Sequence, residues 1–350
     1  MERKRLAEIL NGFPKLKVAV AGDFFLDKWL EIDRSLDEPS LETGLTAYQV
    51  VAKRCYAGAA GTVLSNLAAL GVGSLYALGF IGDDGEGYEM LRLLRGLGIN
   101  TDSLFTSGKV MTPTYTKPVF LTGDVPEETN RLDHKNTLPT PADLEQKIID
   151  SIWEIAPKVD ALIALDQLTN EGYGVLTPRV REELAKVGSQ YPKLVLYADS
   201  RAFIRHFRNM IIKCNNLEAV KLFHNTDEAD LLKKAADLKE VEKCISHLAR
   251  LNGKPVFVSC GSKGVMVQTG NALPVLVPAV NLRPGTKIDI VGAGDACSSG
   301  IVTALSTGAA PEEAAFIGSL VAANTIQVIG TTGTATPEQV LCLFDEYYGT

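Results

Sequence analysis

Lys287-Ile-Asp-Ile-Val-Gly-Ala-Gly-Asp-Ala-Cys-Ser-Ser-Gly300 is the stretch on which the reading of this chain turns. An apolar lead-in ends at Val291, and a Gly292-Ala293-Gly294 turn follows. Asp295 then opens a run of small and apolar residues that predicts a buried helix over 296–305. The first N–H groups of a helix have no internal partner, and the helix dipole places partial positive charge beside them. A glycine-rich turn feeding a helix is therefore a ready anion site. The two glycines let a ligand come close to the backbone. Asp295 is the odd residue. As an N-cap it would only stabilise the helix start. Next to an anion it repels, unless it has a chemical task. A carboxylate that takes a proton from a hydroxyl, beside amides that hold a phosphoryl group, is an arrangement for phosphoryl transfer. Taken alone, the stretch leaves both readings open.

Outward from it, strands and helices alternate. Short apolar runs predict strands at 17–21, 74–79, 161–165, 194–198, 220–223, 256–259, 265–268 and 274–277. Periodic stretches predict helices over 62–70, 86–97, 141–155, 177–187, 201–207, 227–236, 240–251, 312–326 and 337–347. This order implies an α/β fold, a mostly parallel central sheet with helices on both faces. Residues 29–56 differ in texture. Short alternating runs such as 45–51 are broken by Asp37-Glu-Pro39 and Gly44, which predicts a small β lid able to exclude water. Part of 110–135 can add to it, since 110–121 holds β-type residues and 127–136 reads as a loop or an edge pair. No internal repeat is visible, so 1–350 reads as one domain carrying this lid. Asp23 and Asp27 lie just past the first strand's C-terminal end, where open α/β sheets bind ligands.

Composition sets limits on function. The 350 residues are 46% hydrophobic and 22% charged, enough for a sizeable core. The net charge of −7 argues against a nucleic-acid or anionic-membrane partner. The longest apolar region, 301–330, is interrupted by Pro311-Glu-Glu313, so no membrane span is expected. The six cysteines and four histidines show no Cys-x-x-Cys or zinc spacing. With no signal-peptide pattern after Met1, a reducing cytoplasm is the expected compartment. No Gly-x-Gly-x-x-Gly follows 17–21 and no Gly-x-x-x-x-Gly-Lys-Ser/Thr occurs, which argues against dinucleotide-binding and P-loop enzymes.

Asp289-Ile-Val-Gly-Ala-Gly-Asp295 resembles the C-terminal signature of the ribokinase-like (PfkB-type) carbohydrate kinases, with Val291 where a Thr is usual. The likeness runs from about 18 to 336. Gly22-Asp-Phe-Phe-Leu-Asp27 is similar to the first-strand motif, most closely that of the heptose-phosphate kinases, and implies that Asp27 holds sugar hydroxyls beside Asp23. Gly58-Ala-Ala-Gly-Thr-Val-Leu-Ser-Asn66 resembles the N-terminal signature. It implies Gly58, Ala59 and Thr62 at the sugar, with Thr62 where an Asn is usual. Gly79-Phe-Ile-Gly-Asp-Asp-Gly-Glu-Gly87 matches the next turn. Thr114-Tyr-Thr-Lys117 and Asn130-Arg-Leu-Asp133 resemble stretches of the heptose-phosphate kinases. There Lys117 and Arg131 would meet a substrate phosphate, with Val119 replacing a second Arg. Asp166 resembles the acid that follows the fourth large strand and is expected at the substrate, and Asp199-Ser-Arg201 resembles the usual Asp-Pro-Lys or Asp-Ser-Arg.

On the nucleotide side, Asn215-Asn-Leu-Glu218 is similar to the family's Asn-x-x-Glu, whose Glu positions magnesium-bound water and phosphate. Ser259-Cys-Gly-Ser-Lys-Gly264 resembles the turn over the nucleotide and implies roles for Ser259, Gly261 and Gly264. Ala322-Ala-Asn324 implies Asn324 beside adenine. The Asp289 side chain, the Ile290 carbonyl and the Gly330 region imply a potassium site. Cys260 and Cys297 read as packing residues. The resemblance thus implies an ATP- and magnesium-dependent sugar kinase. Asp295 is its base, Gly292, Ala293 and Gly294 form its anion hole, and its substrate is a small sugar or sugar phosphate. A heptose 7-phosphate type of acceptor fits best; ribose, fructose and nucleoside types stay open. Val291, Thr62 and Val119 keep a second class open, a sugar- or nucleotide-binding protein without turnover. An exposed lid edge offers a homodimer interface.

Overall fold

A computed structural model describes residues 1–121, 127–224 and 227–349. Lys17–Gly22 carries no polar side chain after Lys17 and is buried on both faces, which suits a strand inside a covered sheet. From it the chain adds Ser74–Gly82 and Asn100–Ser107 on one side. It then returns to add Ala161–Asp166, Val195–Ser200, Ile211–Asn215 and Val256–Ser259 on the other, all parallel. Val265–Gln268 and Val275–Val277 finish this nine-stranded sheet as antiparallel strands. The winding reverses between Lys17–Gly22 and Ala161–Asp166, and a crevice opens at their carboxyl ends.

Helices Arg3–Leu10, Ala60–Ala69, Ala293–Ser306, Pro311–Thr325 and Pro337–Tyr348 cover one face; Ala142–Ile155, Pro178–Gln190 and Leu238–Asn252 cover the other. A Cβ at Gly300 would lie 2.9 Å from the Gly318 Cα, so the two helices that support the 292–295 turn pack backbone to backbone. No helix among the described residues is long and apolar enough to cross a membrane.

A second, five-stranded sheet stands on the crevice. Phe24–Ile32 pairs antiparallel with Val50–Ala59 and parallel with Thr114–Phe120, and Glu127–Glu128 and Leu132–His134 extend it. The excursion begins at Phe24 rather than 29, because the chain runs from the first strand through Asp23 straight into it. Residues 122–126, within the 110–135 stretch, lie outside the described residues. Aromatic pairs stiffen this sheet: Phe25 with Tyr115 at 5.0 Å and Trp29 with Tyr56 edge-on at 5.4 Å.

Three expectations need correction. The strand expected at 220–223 is helix Asn216–Lys221, and the strand lies earlier, at Ile211–Asn215. The reason is a capping box: Asn215 Oδ1 accepts from the Glu218 N–H and Glu218 Oε2 from the Asn215 N–H, both at 2.8 Å. Edge strand Asn100–Ser107 was not expected, since Asn100 and Asp102 interrupt its apolar residues. Residues 201–207 form only one short 3-10 turn, Ile204–His206.

Candidate active site

The 292–295 turn is built from three constraints. Gly292 has φ +79°, a conformation costly for residues with a Cβ, and caps helix Ala293–Ser306. Its Cα faces Thr332, whose Cγ2 would lie 2.4 Å from a Cβ. Asp289 ties the lead-in down: Oδ1 accepts from the Val291 N–H and Oδ2 from the Gly330 N–H, each at 3.1 Å. The Ala293 N–H donates to the Ile290 carbonyl at 3.2 Å, and that of Ala296 to Gly292 at 3.0 Å. The N–H groups of Gly292, Gly294 and Asp295 meet no acceptor among the described residues. The free donors are therefore these three, and Ala293, expected among them, is already engaged.

Asp295 is half-buried in the first helical turn. Burial pushes its carboxyl up to about 7; the Asp199 charge adds to the rise and Asp27 contributes, while Lys213 and Arg201 oppose it. A carboxyl poised there can hold or release a proton near neutral pH. Beneath it lies a polar network that the sequence reading missed. Lys213 Nζ donates to Asp199 Oδ2 at 2.8 Å and to the Gly294 carbonyl at 3.3 Å. Ser298 Oγ donates to the same Asp199 oxygen at 3.0 Å, and the Tyr197 hydroxyl donates to Ser298 at 3.0 Å. Lys213 is 4% exposed. Burial pulls its ammonium down, but the Asp199 charge and hydrogen bond, together with Tyr197 and Cys297, outweigh this and raise it well above its ordinary value. A lysine within Ile-Ile-Lys-Cys was the available signal, since a cation inside an apolar strand needs a buried partner.

Facing the turn from the second sheet is Asp27. Burial raises its carboxyl, with Lys117 and Arg131 opposing. Lys117 Nζ lies 3.5 Å from Asp27 and 3.9 Å from the Trp29 ring centroid; Arg131 stacks on Tyr115 at 4.1 Å and pairs with Asp133. The structure thus brings Asp27, Lys117 and Arg131 to one face. Gly58 leaves room for Asp27, because a Cβ there would come within 2.6 Å of Oδ2. Ala59 holds φ +53°, uncommon for a residue with a Cβ, where the second sheet joins helix Ala60–Ala69. Thr62 is buried, donates to the Ala57 carbonyl at 3.3 Å and borders Gly292. Val119 is buried and brings no cation.

Asp23 and Asp166, expected at the substrate, are both 4% exposed and occupied by the protein's own donors. Asp23 accepts from the N–H groups of Val175 and Gln167 at 2.8 and 3.0 Å; Asp166 accepts from Ser200 at 2.8 Å, with Arg181 at 4.0 Å. Burial raises both carboxyls, Asp166 to about 7. Each is thus engaged by the protein's own donors, while Asp23 still borders a small cavity with Phe24, Pro113 and Lys135.

On the opposite side, burial and then Asp199 raise the Glu218 carboxyl. One of its oxygens serves the capping box. A carboxylate crowded by a second acid is an environment that a hard cation relieves, which fits magnesium. Ser259, Gly261 and Gly264 form the turn after Val256–Ser259; a Cβ at Gly264 would reach the Val277 carbonyl at 2.0 Å. Asn324 donates to Leu320 within its own helix. Asp289 and the Ile290 carbonyl, the candidate potassium ligands, each already carry protein donors. Cys260 and Cys297 are buried, with thiols pushed up to about 11, consistent with packing.

A model of the pfkB family of carbohydrate kinases matches residues 25–339. The bifunctional protein HldE of Pelobacter propionicus is 24% identical over 344 residues, 97% of this chain and 66% of its own length. That of Wolinella succinogenes is 27% identical over 331 residues, 94% of this chain and 64% of its own. The chain thus spans just under two thirds of these curated relatives. The structure of Arabidopsis thaliana ribokinase complexed with ribose and ATP superposes with a TM-score of 0.67 at 18% identity, covering 94% of this chain and 98% of that one. Escherichia coli phosphofructokinase-2 gives 0.67 at 16% identity, covering 95% and 99%. Both share the ribokinase-like fold. The Gly-Ala-Gly-Asp turn thus sits at a helix start within a family match that runs into the last helix, and the chain belongs to the pfkB family of carbohydrate kinases, phosphotransferases that use a hydroxyl acceptor.

Proposed function

We propose that the protein transfers the γ-phosphoryl group of ATP to a hydroxyl of a phosphorylated sugar of the heptose 7-phosphate type, with Asp295 as the general base. One observation carries this reading: a half-buried carboxyl with a pKa of about 7 stands beside three unpaired amides at a helix N-terminus. The sugar hydroxyl loses its proton to Asp295 while its oxygen bonds to the γ-phosphorus, and the bond from phosphorus to the leaving ADP oxygen breaks. The N–H groups of Gly292, Gly294 and Asp295 compensate charge on the transferring group, so the work is positioning and electrostatics. Asp27 holds sugar hydroxyls. Lys117 and Arg131 are the cations for the substrate's own phosphate, which favours a sugar phosphate over ribose, fructose or a nucleoside. Glu218 would hold magnesium through water, and the ion, when bound, neutralises phosphate charge. The second sheet closes over the acceptor as a lid on what is one kinase domain.

The test is ADP release with magnesium-ATP against heptose 7-phosphate, ribose, fructose, fructose phosphates and adenosine. Preference for a phosphorylated sugar supports the reading. Nucleotide binding without turnover on any of them would favour the binding-protein alternative.

Gly58→Ala should raise the acceptor's KM about tenfold while leaving the KM for ATP near wild type, because the new methyl displaces the Asp27 carboxylate. Steady-state kinetics in both substrates decides it; equal effects on both would remove Asp27 from the acceptor site.

The edge strand Val50–Ala59 exposes Val50 and Val51, and the turn that precedes it exposes Leu41 and Leu45. Exposed apolar side chains at the start of an edge strand and in the turn before it suit a second copy of the chain. Sedimentation equilibrium should give a dimer that Val51→Glu dissociates; a wild-type monomer would refute this. All six cysteines are unpaired, which suits a reducing cytoplasm.

A further inference from the structure

Lys213 and Asp199 are direct register partners on neighbouring parallel strands, Ile211–Asn215 and Val195–Ser200. Their side chains reach the same helix at two points one turn apart. Lys213 holds the Gly294 carbonyl, and Asp199 accepts from Ser298. Both lie under Asp295, and neither is exposed enough to serve as an ordinary surface pair: side-chain exposure is 5% for Lys213 and 15% for Asp199. Burying a lysine is costly unless it is paired and hydrogen-bonded. A strand position that keeps one needs an account beyond packing.

We propose that Lys213 and Asp199 are an opposed pair of positioning residues: together they clamp the first two turns of helix Ala293–Ser306, and their opposite charges govern when Asp295 carries its proton. The proposal rests on Asp295 as the base and assigns what controls it. The other charged groups that face Asp295 are Arg201, beyond the end of the Asp199 strand, and Asp27, from the second sheet. Glu218, on helix Asn216–Lys221, acts on the same pair. Tyr197 is held neutral by burial. Lys213 and Asp199 are the only two of these groups that are bonded to each other and also to the helix carrying Asp295.

The signs separate this from a structural role. Without Lys213, Asp295 loses an attraction and faces a bare Asp199, so it holds its proton to higher pH. Without the Asp199 charge, Asp295 loses a repulsion and faces a bare Lys213, so it releases its proton at lower pH. A merely structural pair would give both variants the same defect.

The experiment is a pH titration of the Asp295 carboxyl carbon by NMR in protein labelled at aspartate, assigned with Asp295→Asn. It is run on the full chain alongside pH profiles of kcat/KM with the best acceptor. Lys213→Met should move the ionisation up by roughly one pH unit or more, and Asp199→Asn should move it down by about as much. The double variant Lys213→Met/Asp199→Asn should return it to within about half a unit of wild type. It should still lose turnover by roughly tenfold, because the hold on Gly294 is gone. Shifts in the same direction, or none in folded protein, overturn the proposal. If one single variant fails to fold, the other decides by the sign of its shift: upward for Lys213→Met or downward for Asp199→Asn supports the pair, and the opposite sign or no shift refutes it. The titration needs no acceptor, so a wild-type protein inactive on every sugar would count against the kinase reading while the opposed shifts still judged the pair.

Discussion

Asp295→Asn should lower turnover by about 100-fold or more while leaving the KM for ATP within about threefold. Asn keeps the shape of Asp295 and the free amides of the turn, so the proposed nucleotide contacts survive; the proposed acceptor of the hydroxyl proton does not. The pH dependence should change with it. Asp295 is pushed up to about 7, chiefly by burial and then by Asp199, so below that pH it is protonated and unavailable as a base. Wild-type kcat/KM should therefore rise about tenfold per pH unit up to that region and then level, and the variant should lose this limb. Stability gives a second reading of opposite sign. A carboxyl whose folded-state pKa is raised contributes stability below its unfolded value of about 3.9, and this is lost as pH rises through about 7. Asp295→Asn should consequently melt higher than wild type at pH 8, with the gap closing toward pH 4. Turnover in the variant within about threefold of wild type would rule Asp295 out as the base.

The parts of this site that the sequence revealed are those set by local chemistry. The Gly292-Ala293-Gly294-Asp295 turn needs only adjacent residues to make an anion site, and it lies at a helix start as expected. Covered strands such as Ala161–Asp166 are continuous apolar runs and were equally plain. Partnerships between distant segments were hidden. Lys213 looked like a break in an apolar run, since its partner Asp199 belongs to the neighbouring strand and its second acceptor, Gly294, to a helix eighty-one positions away. The strand expected at 220–223 lies instead around Lys213, at Ile211–Asn215. Asp23 and Asp166 had the residue type and the strand-end placement of ligand contacts. Only the return of the 167–175 loop and of Ser200 shows their oxygens already taken. The same limit applied to Ala293, because an N–H that folds back on Ile290 looks identical in sequence to one left free.

Gly292→Ala should be the most damaging single methyl in the proposed anion hole. Two costs meet there. At φ +79° the backbone lies in the left-handed region, which asks roughly 1–2 kcal/mol of a residue with a Cβ. The new methyl would also lie 2.4 Å from Thr332 Cγ2, and Thr62 Cγ2 stands 3.7 Å away on the other side, so Thr332 must rotate or the turn must move. Movement of the turn carries the amides of Gly294 and Asp295 with it. A misplacement of about 1 Å at a reacting centre costs on the order of 100-fold. Turnover should fall by about that factor, with a loss of stability of about 1–3 kcal/mol in denaturant titration. Gly294→Ala makes the comparison: its φ is not positive and its nearest neighbour is the Lys213 ammonium at 3.2 Å, so its loss should be smaller. Adding Thr332→Ala to Gly292→Ala separates the two costs, since it removes the clash and keeps the strained backbone. Partial recovery of turnover in that double variant would assign the remainder to backbone strain. Wild-type turnover in Gly292→Ala alone would mean that the turn only caps the helix and that the phosphoryl group is held elsewhere.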